Sequence, residues 1–171
     1  KVINFNLKIE NPGEIVCLLG PSGVGKTTVL RSIAGLKKLS EGEIVLDGEV
    51  LSSKNLHVEP EYRNIALSFQ DNSLFPHYNV IDNINFGSKR NIKSNYSLTS
   101  SELINILHLN DLEQKFPHQI SAGEAQRVSL ARSLMSKPKL LLIDEPFSNI
   151  DQSLKGELQS KIKKLLKSLH I

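Results

Sequence analysis

The sequence predicts an α/β fold built on a phosphate-binding loop, with a helical subdomain inserted into the chain. Three observations carry that prediction. Residues 20–27 read GPSGVGKT, directly after the apolar run IVCLL and directly before a helical pattern. Residues 139–146 read KLLLIDEP, an apolar strand that ends in two carboxylates. Between them, residues 72–120 are rich in Asn, Ser and His and are patterned as helices and loops. In a parallel sheet the strand C-termini face the ligand crevice, where those two carboxylates would lie.

Taken in order, residues 2–9 alternate apolar and polar, which predicts a half-buried strand. Pro12-Gly13 marks a turn. The run at 15–19 is continuously apolar, as expected of a strand covered on both faces. After the glycine-rich loop, Val29, Leu30, Ile33 and Ala34 share a helix face that Gly35 closes as a C-cap. EIVLDGEV at 43–50 predicts strand and turn, and IALSF at 65–69 a further strand. Thr99 and Glu102 form a capping box ahead of Leu103, Ile104, Ile106 and Leu107. Ser121 and Glu124 form a second box, starting a helix that Pro138 ends. The last segment puts Leu154, Leu158, Ile162, Leu165 and Leu169 on one face. Its lysines, Lys155, Lys161, Lys163, Lys164 and Lys167, are expected on the solvated side.

Bulk properties exclude several classes. The chain has 171 residues, 39% hydrophobic and 23% charged, ordinary for a globular domain. A net charge of +3 is too small to argue for nucleic acid, and no nucleic-acid partner is expected. The single Cys17 excludes an internal disulfide framework. No apolar run approaches the roughly 18–20 residues of a membrane span. The first residues do not have the form of a signal peptide and lack an initiator Met, so the sequence is expected to be a fragment.

GPSGVGKT fits G-x-x-x-x-G-K-[ST] in full and in the strand–helix context the motif requires. Its glycines let the backbone curl so that N–H groups point inward, and the following helix adds about half a positive charge at its N-terminus. Lys26 supplies a full charge for the outer phosphates, and Thr27 a hydroxyl for Mg²⁺. Asp144 ends a strand where an acid can hold Mg²⁺ through water. Glu145 beside it would polarise an attacking water, and charge stabilisation around the transferred phosphoryl group should carry the rate. Gln70, after IALSF, has an amide that can touch both Mg²⁺ and that water.

Together, GPSGVGKTT, SFQD, ISAGEAQRVSLARSL and LLLIDEPFSNID, in that order, resemble the nucleotide-binding subunit of an ABC transporter over essentially the whole chain. The resemblance implies a RecA-like core with an inserted helical subdomain, divided here as 1–71, 72–126 and 127–171. It implies ATP and Mg²⁺ as ligands, and a homodimer or paired subunit that sandwiches two ATP molecules. Carried over by position, Gly20, Pro21, Ser22, Gly23, Val24, Gly25, Lys26, Thr27 and Thr28 form the Walker A loop, and Gln70 the Q-loop. Asp144 is the Walker B acid, Glu145 the catalytic base, and 148–151 the D-loop. ISAGE takes the place of the signature motif, usually L-S-G-G-Q. Ser121 and Gly123 keep the positions that meet the γ-phosphate held by the other subunit. Ala122 and Glu124 depart from the pattern. Glu124 either caps its own helix, opposes the incoming phosphate, or does both in turn.

The family's adenine-stacking aromatic would precede Lys1, and its switch histidine would follow a strand beyond Ile171. His57, His77, His108, His118 and His170 fit neither role. A chain truncated at both ends is expected to bind Mg-ATP weakly and to hydrolyse it slowly or not at all by itself. HVEPEYRNIALSFQDNSLFPHYNVIDNINFG resembles importers of the iron(III), polyamine, sulfate and maltose group. That resemblance implies integral-membrane permease partners contacting Leu74, Phe75 and Tyr78, and indirectly a periplasmic or surface solute-binding protein. It also implies a peripheral position on the cytoplasmic face of the inner membrane. Iron(III) is the expected cargo, with polyamine, thiamine and sulfate as alternatives. The competing readings are a non-transport ABC protein and a nucleotide-binding module without efficient turnover.

Overall fold

A computed structural model of the chain describes residues 5–69, 74–89, 97–145 and 147–171. In chain order its elements are α1 (Lys26–Ile33), β1 (Ile44–Leu46), β2 (Glu49–Ser52), β3 (Ile65–Ser68), α2 (Val80–Phe86), α3 (Ser100–Ile106), α4 (Ala122–Met135), β4 (Leu140–Ile143) and α5 (Gln152–Leu169). Short 3₁₀ turns punctuate the loops.

Parallel pairing joins β3 to β4, with Ile65 opposite Leu140 and Ser68 opposite Ile143. Period-2 alternation then divides β4 between two cores. Leu140 and Leu142 face a cluster that includes Ala34, Leu51, Ile65, Leu30 and Ile33. Leu141 and Ile143 face the larger cluster formed by α2, α3, α4 and α5. The pair of strands thus lies between α1 with its hairpin and the helical layer. Burial of Leu158, Ile162 and Leu166 seats α5, with Leu154, Leu165 and Leu169 at its margins. The hairpin β1–β2 turns at Asp47 and Gly48, whose φ angles of 51° and 80° are the two positive values a tight two-residue turn needs. Lys139 ties this turn to the start of β4 through Asp47 at 2.6 Å.

Both capping boxes form. Thr99 accepts from the Glu102 N–H at 3.2 Å and its own N–H donates to Glu102 at 2.8 Å. At α4 the corresponding distances are 3.2 Å and 2.7 Å for Ser121 and Glu124. Helix α4 runs unbroken through 126 and 127, so one rigid element joins the two sides of that expected boundary. The C-cap of α1 falls one position earlier than the expected Gly35. Ala34 is the C-cap, and Gly35 at φ 86° follows it in a two-bond closure, with Leu36 N–H on Arg31 O and Gly35 N–H on Ser32 O.

Two expected strands are not formed among the described residues. Residues 5–9 and 15–19 carry no ladder, and Phe5, Leu7, Ile9, Ile15, Val16 and Leu19 are exposed, Leu19 by 91%. An apolar run becomes a strand only when a neighbouring edge takes its N–H and C=O groups. Here β3 and β4 pair with each other, and an open cleft of about 1140 Å³ lies between residues 5–14 and the edge at Ile65 and Leu140. The alternation of 2–9 and the apolar run of 15–19 record which faces could be covered, without supplying the cover.

Candidate functional site

The glycine-rich loop hands the chain directly to α1. Gly20, Gly23 and Gly25 all have positive φ, and Gly25 is the N-cap. No acid occupies the first turn of α1, so nothing there offsets the positive end of the helix. Lys26 Nζ turns back and donates to Gly20 O at 2.8 Å and Pro21 O at 3.1 Å. The ammonium is therefore held at the mouth of its own loop. Thr27 and Thr28 follow in the first turn of α1, both half-buried.

The far end of α1 is fixed by a residue that pattern reading passes over. Arg63 is 1% exposed. Its Nε donates to Val58 O at 2.8 Å, and Nη1 donates to Ser32 O and Ile33 O at 3.2 and 2.7 Å. Nη2 reaches Leu51 O at 3.1 Å and Ser52 Oγ at 2.5 Å. A cation on the last carbonyls of a helix complements their partial negative charge. Burial pushes the guanidinium below its usual range, and nearby Glu59 opposes that shift. The fit leaves no room at Gly35, where an added Cβ would meet Arg63 Nε at 2.5 Å. In the sequence, Arg63 is simply a charge before a strand. Its partners at Ser32 and Ile33 lie some thirty residues upstream and leave no local signal.

Because β3 and β4 are parallel, their C-terminal ends point the same way. The Asp144 N–H extends the ladder onto Ser68 O at 3.1 Å, which sets Asp144 beside the end of β3. Arg31 of α1 lies 5.8 Å over the Phe69 ring, so the P-loop helix borders that same end. Asp144 is half-buried and Glu145 exposed. Glu145 has φ 52°, a left-handed conformation that costs a residue with a side chain about 1–3 kcal/mol unless its surroundings enforce it. Gln70, the remaining expected ligand of the water and metal, lies outside the described residues.

The tip of α4 meets the segment 148–151. Ser121, Gly123, Glu124, Arg127, Asn149 and Asp151 are among the residues lining a pocket of about 340 Å³. Gly123 is required by this approach, since a Cβ there would sit 2.4 Å from Asn149 O. Gln126, one turn along, donates to Glu145 O at 2.8 Å. The hydrogen bonds from Ser121 first, and then the nearby Arg127 and Lys115 charges, hold the Glu124 carboxyl below its usual range. Arg127 itself donates to Leu107 O and His108 O at 2.6 and 2.8 Å, pinning α3 to α4.

The segment 74–78 is organised by the buried Asn83. Its side chain accepts from Phe75 N–H at 2.9 Å and donates to the carbonyls of Phe75, Tyr78 and Asn79 at 3.0–3.1 Å. Leu74 packs against the larger core. Phe75 sits at 4.5 Å from the Phe86 ring and 5.7 Å from Tyr78, with Arg132 at 5.1 Å over its face. All three expected contact residues are half-buried. Among the described residues, no cluster of three or more His, Cys, Asp or Glu could hold a metal, and no helix is long and apolar enough to cross a membrane.

Comparison with known proteins places this geometry. The family model described as "ABC transporter" matches residues 2–148. The chain is 42% identical over 170 residues to the Fe(3+) ions import ATP-binding protein of Escherichia coli O157:H7, covering 98% of this chain and 47% of that protein. It is 41% identical over 170 residues to the spermidine/putrescine import ATP-binding protein of Pasteurella multocida, covering 98% and 45%. The chain spans about half the length of these curated relatives. Among solved structures, the dimeric bacterial ABC transporter cassette MJ0796 superposes with a TM-score of 0.80 at 28% identity, covering 96% of this chain and 74% of that one. A post-hydrolysis dimer of the same cassette, bound to ADP and Pi, gives a TM-score of 0.78 with the same identity and coverage. The expected α/β P-loop fold with its helical insertion is therefore the fold of an ABC ATP-binding cassette.

Proposed function

The chain belongs to the ABC transporter family, and from that premise we propose that it is the ATP-binding part of an importer subunit that couples ATP hydrolysis at a dimer interface to solute uptake. One observation carries the reading. A complete P-loop opens α1, and α1 packs on a parallel strand pair whose C-terminal end bears Asp144 and Glu145. The import functions named for its relatives, and the dimeric nucleotide-bound cassette, support it.

In this reading the Walker A backbone, 20–28, cradles the phosphates. Lys26 exchanges Gly20 O and Pro21 O for phosphate oxygens, a stronger pairing of opposite charges. The hydroxyl of Thr27 and the carboxylate of Asp144 are hard oxygen donors that suit Mg²⁺, with Gln70 as the third candidate. Mg²⁺, when bound, neutralises charge developing on the phosphate oxygens. Glu145 orients and polarises a water that attacks the γ-phosphorus, giving ADP and phosphate. Ser121 and Gly123 at the α4 tip meet the nucleotide of a second subunit. Leu74, Phe75 and Tyr78 face permease subunits at the cytoplasmic face of the inner membrane, and the solute-binding protein acts from the other side. The regions 1–71, 72–126 and 127–171 serve as core, helical lobe and core.

Iron(III) is the cargo we propose. Polyamine, sulfate and thiamine are distinguished from it by radiolabelled uptake in cells lacking this gene. Fluorescent-nucleotide titration tests the site itself. Lys26→Ala should abolish measurable ATP binding, because a charge-assisted contact worth roughly 1.5–3 kcal/mol is lost at each phosphate group it meets. Undiminished affinity would overturn the assignment.

A further inference from the structure

We propose that Gln126 is a positioning residue that aims Glu145 from the signature helix, so that the helix tip and the catalytic carboxylate move as one unit. The inference rests on the reading of Glu145 as the base, and it adds a residue that the motif pattern does not single out.

Gln126 is 3% exposed on the second turn of α4. Its Nε2 donates to Glu145 O at 2.8 Å and reaches Ser148 Oγ at 3.4 Å. Its Oε1 accepts from Asn149 N–H at 3.4 Å. The Glu145 carbonyl also accepts from Ser148 N–H at 3.3 Å and from Ser148 Oγ at 3.2 Å. Three donors therefore converge on one carbonyl, and one of them comes from another element. Glu145 needs such a clamp, because its φ of 52° is held only where the surroundings over-determine it. With φ fixed, the direction of the Cα–Cβ bond is fixed too, and so is the origin of the carboxylate. The same side chain grips 148–149, whose Asn149 carbonyl packs on Gly123. Ser121 and Gln126 lie five residues apart on one helix, about 7.5 Å along its axis. A shift of the tip is transmitted to Glu145 without any intervening flexible joint.

The test is Gln126→Leu, which removes all three polar contacts at similar volume. Turnover should fall roughly 10- to 100-fold, the scale of a misplaced catalytic group, with ATP affinity held within about twofold. In a Glu145→Gln background the same substitution should leave the residual rate unchanged, since no carboxylate remains to be aimed. An equal fall in both backgrounds would mean a merely structural role and overturn the proposal. Amide hydrogen exchange at Ser148 and Asn149 gives a readout that needs no turnover. Faster exchange in Gln126→Leu is expected, and unchanged protection would also overturn the clamp. Should Gln126→Leu fail to fold, Gln126→Glu keeps an acceptor for Asn149 N–H while removing the donor to Glu145 O, and the same fall in turnover is expected with Asn149 exchange unchanged. Absence of ATP binding by the unsubstituted protein would count against the proposed function alone, because the exchange experiment still decides the clamp.

Discussion

Replacing Arg63 by methionine keeps most of the side-chain stem and removes every donor. Five acceptors then lose a partner: the carbonyls of Ser32, Ile33, Leu51 and Val58, and the Ser52 hydroxyl. At roughly 1 kcal/mol each the loss is about 5 kcal/mol. The variant no longer has to desolvate a guanidinium, which returns about 2–4 kcal/mol. The net destabilisation is thus about 1–3 kcal/mol. For a chain of this size that corresponds to a fall in Tm of roughly 2–12 °C. Urea and thermal unfolding followed by circular dichroism measure it directly. Arg63→Lys should recover only a minor part, because one ammonium cannot span acceptors on α1, β2 and the loop before β3. A loss below about 1 kcal/mol in Arg63→Met would refute the reasoning, showing that water or a shifted backbone satisfies the same carbonyls.

Three further outcomes follow from the tip of α4 and from the lobe. Gly123→Ala should destabilise by about 1–3 kcal/mol, because its Cβ would meet the Asn149 carbonyl and the segment must shift; an unchanged melting temperature would show that the contact yields freely. Glu124→Gln keeps the capping geometry and removes a charge. Because the folded carboxyl is depressed, its contribution is complete above the unfolded value of about 4.3 and is lost as pH falls through the lower folded value. The variant should therefore show a shallower acid limb in stability against pH, with the remaining slope partly from Glu102, which is depressed for the same reason. Asn83→Leu should strip hydrogen bonds from 75–79 and lower stability by about 2–4 kcal/mol, read by urea unfolding, while ATP affinity changes little.

Local signals survived the passage from sequence to structure. The two capping boxes, the individual strands 65–68 and 140–143, and the turn at Asp47-Gly48 are each specified within a few residues. Contacts made across the chain are what the sequence hides. Arg63 sits before an apolar strand with nothing local to mark it, yet it caps a helix thirty residues upstream. Gln126 left a fainter trace. Leu134 and Leu130 lie on the buried stripe of α4, and one more step of four residues lands on position 126. A polar residue in that register must find partners inside, and Glu145 and Asn149 supply them. Among the described residues, the strand patterns at 5–9 and 15–19 failed for the complementary reason. Periodicity reports which face is apolar, but a ladder also needs an edge to join.

The tip of α4 shows how one short stretch serves two purposes. Its capping box takes a lone pair of Ser121 Oγ for the Glu124 N–H, and uses the Glu124 carboxylate for the Ser121 N–H. A hydroxyl has one donor and two acceptor sites, so Ser121 can cap its own helix and still donate to an anion. Gly123 is likewise needed within the chain, because Asn149 O approaches it too closely for any Cβ. Its presence would be required even if no second subunit ever met this surface. Glu124 is the residue for which the two purposes conflict. Its carboxylate is folded back on Ser121 and lies near Arg127 and Lys115, so part of its field is already countered. The helix gains from the negative charge only about 0.3–1 kcal/mol, whereas an incoming phosphate meets like charge at close range. Removing that charge should therefore cost the lone chain little and strengthen the ATP-bound dimer proposed above, an asymmetry that a plain helix cap would not produce.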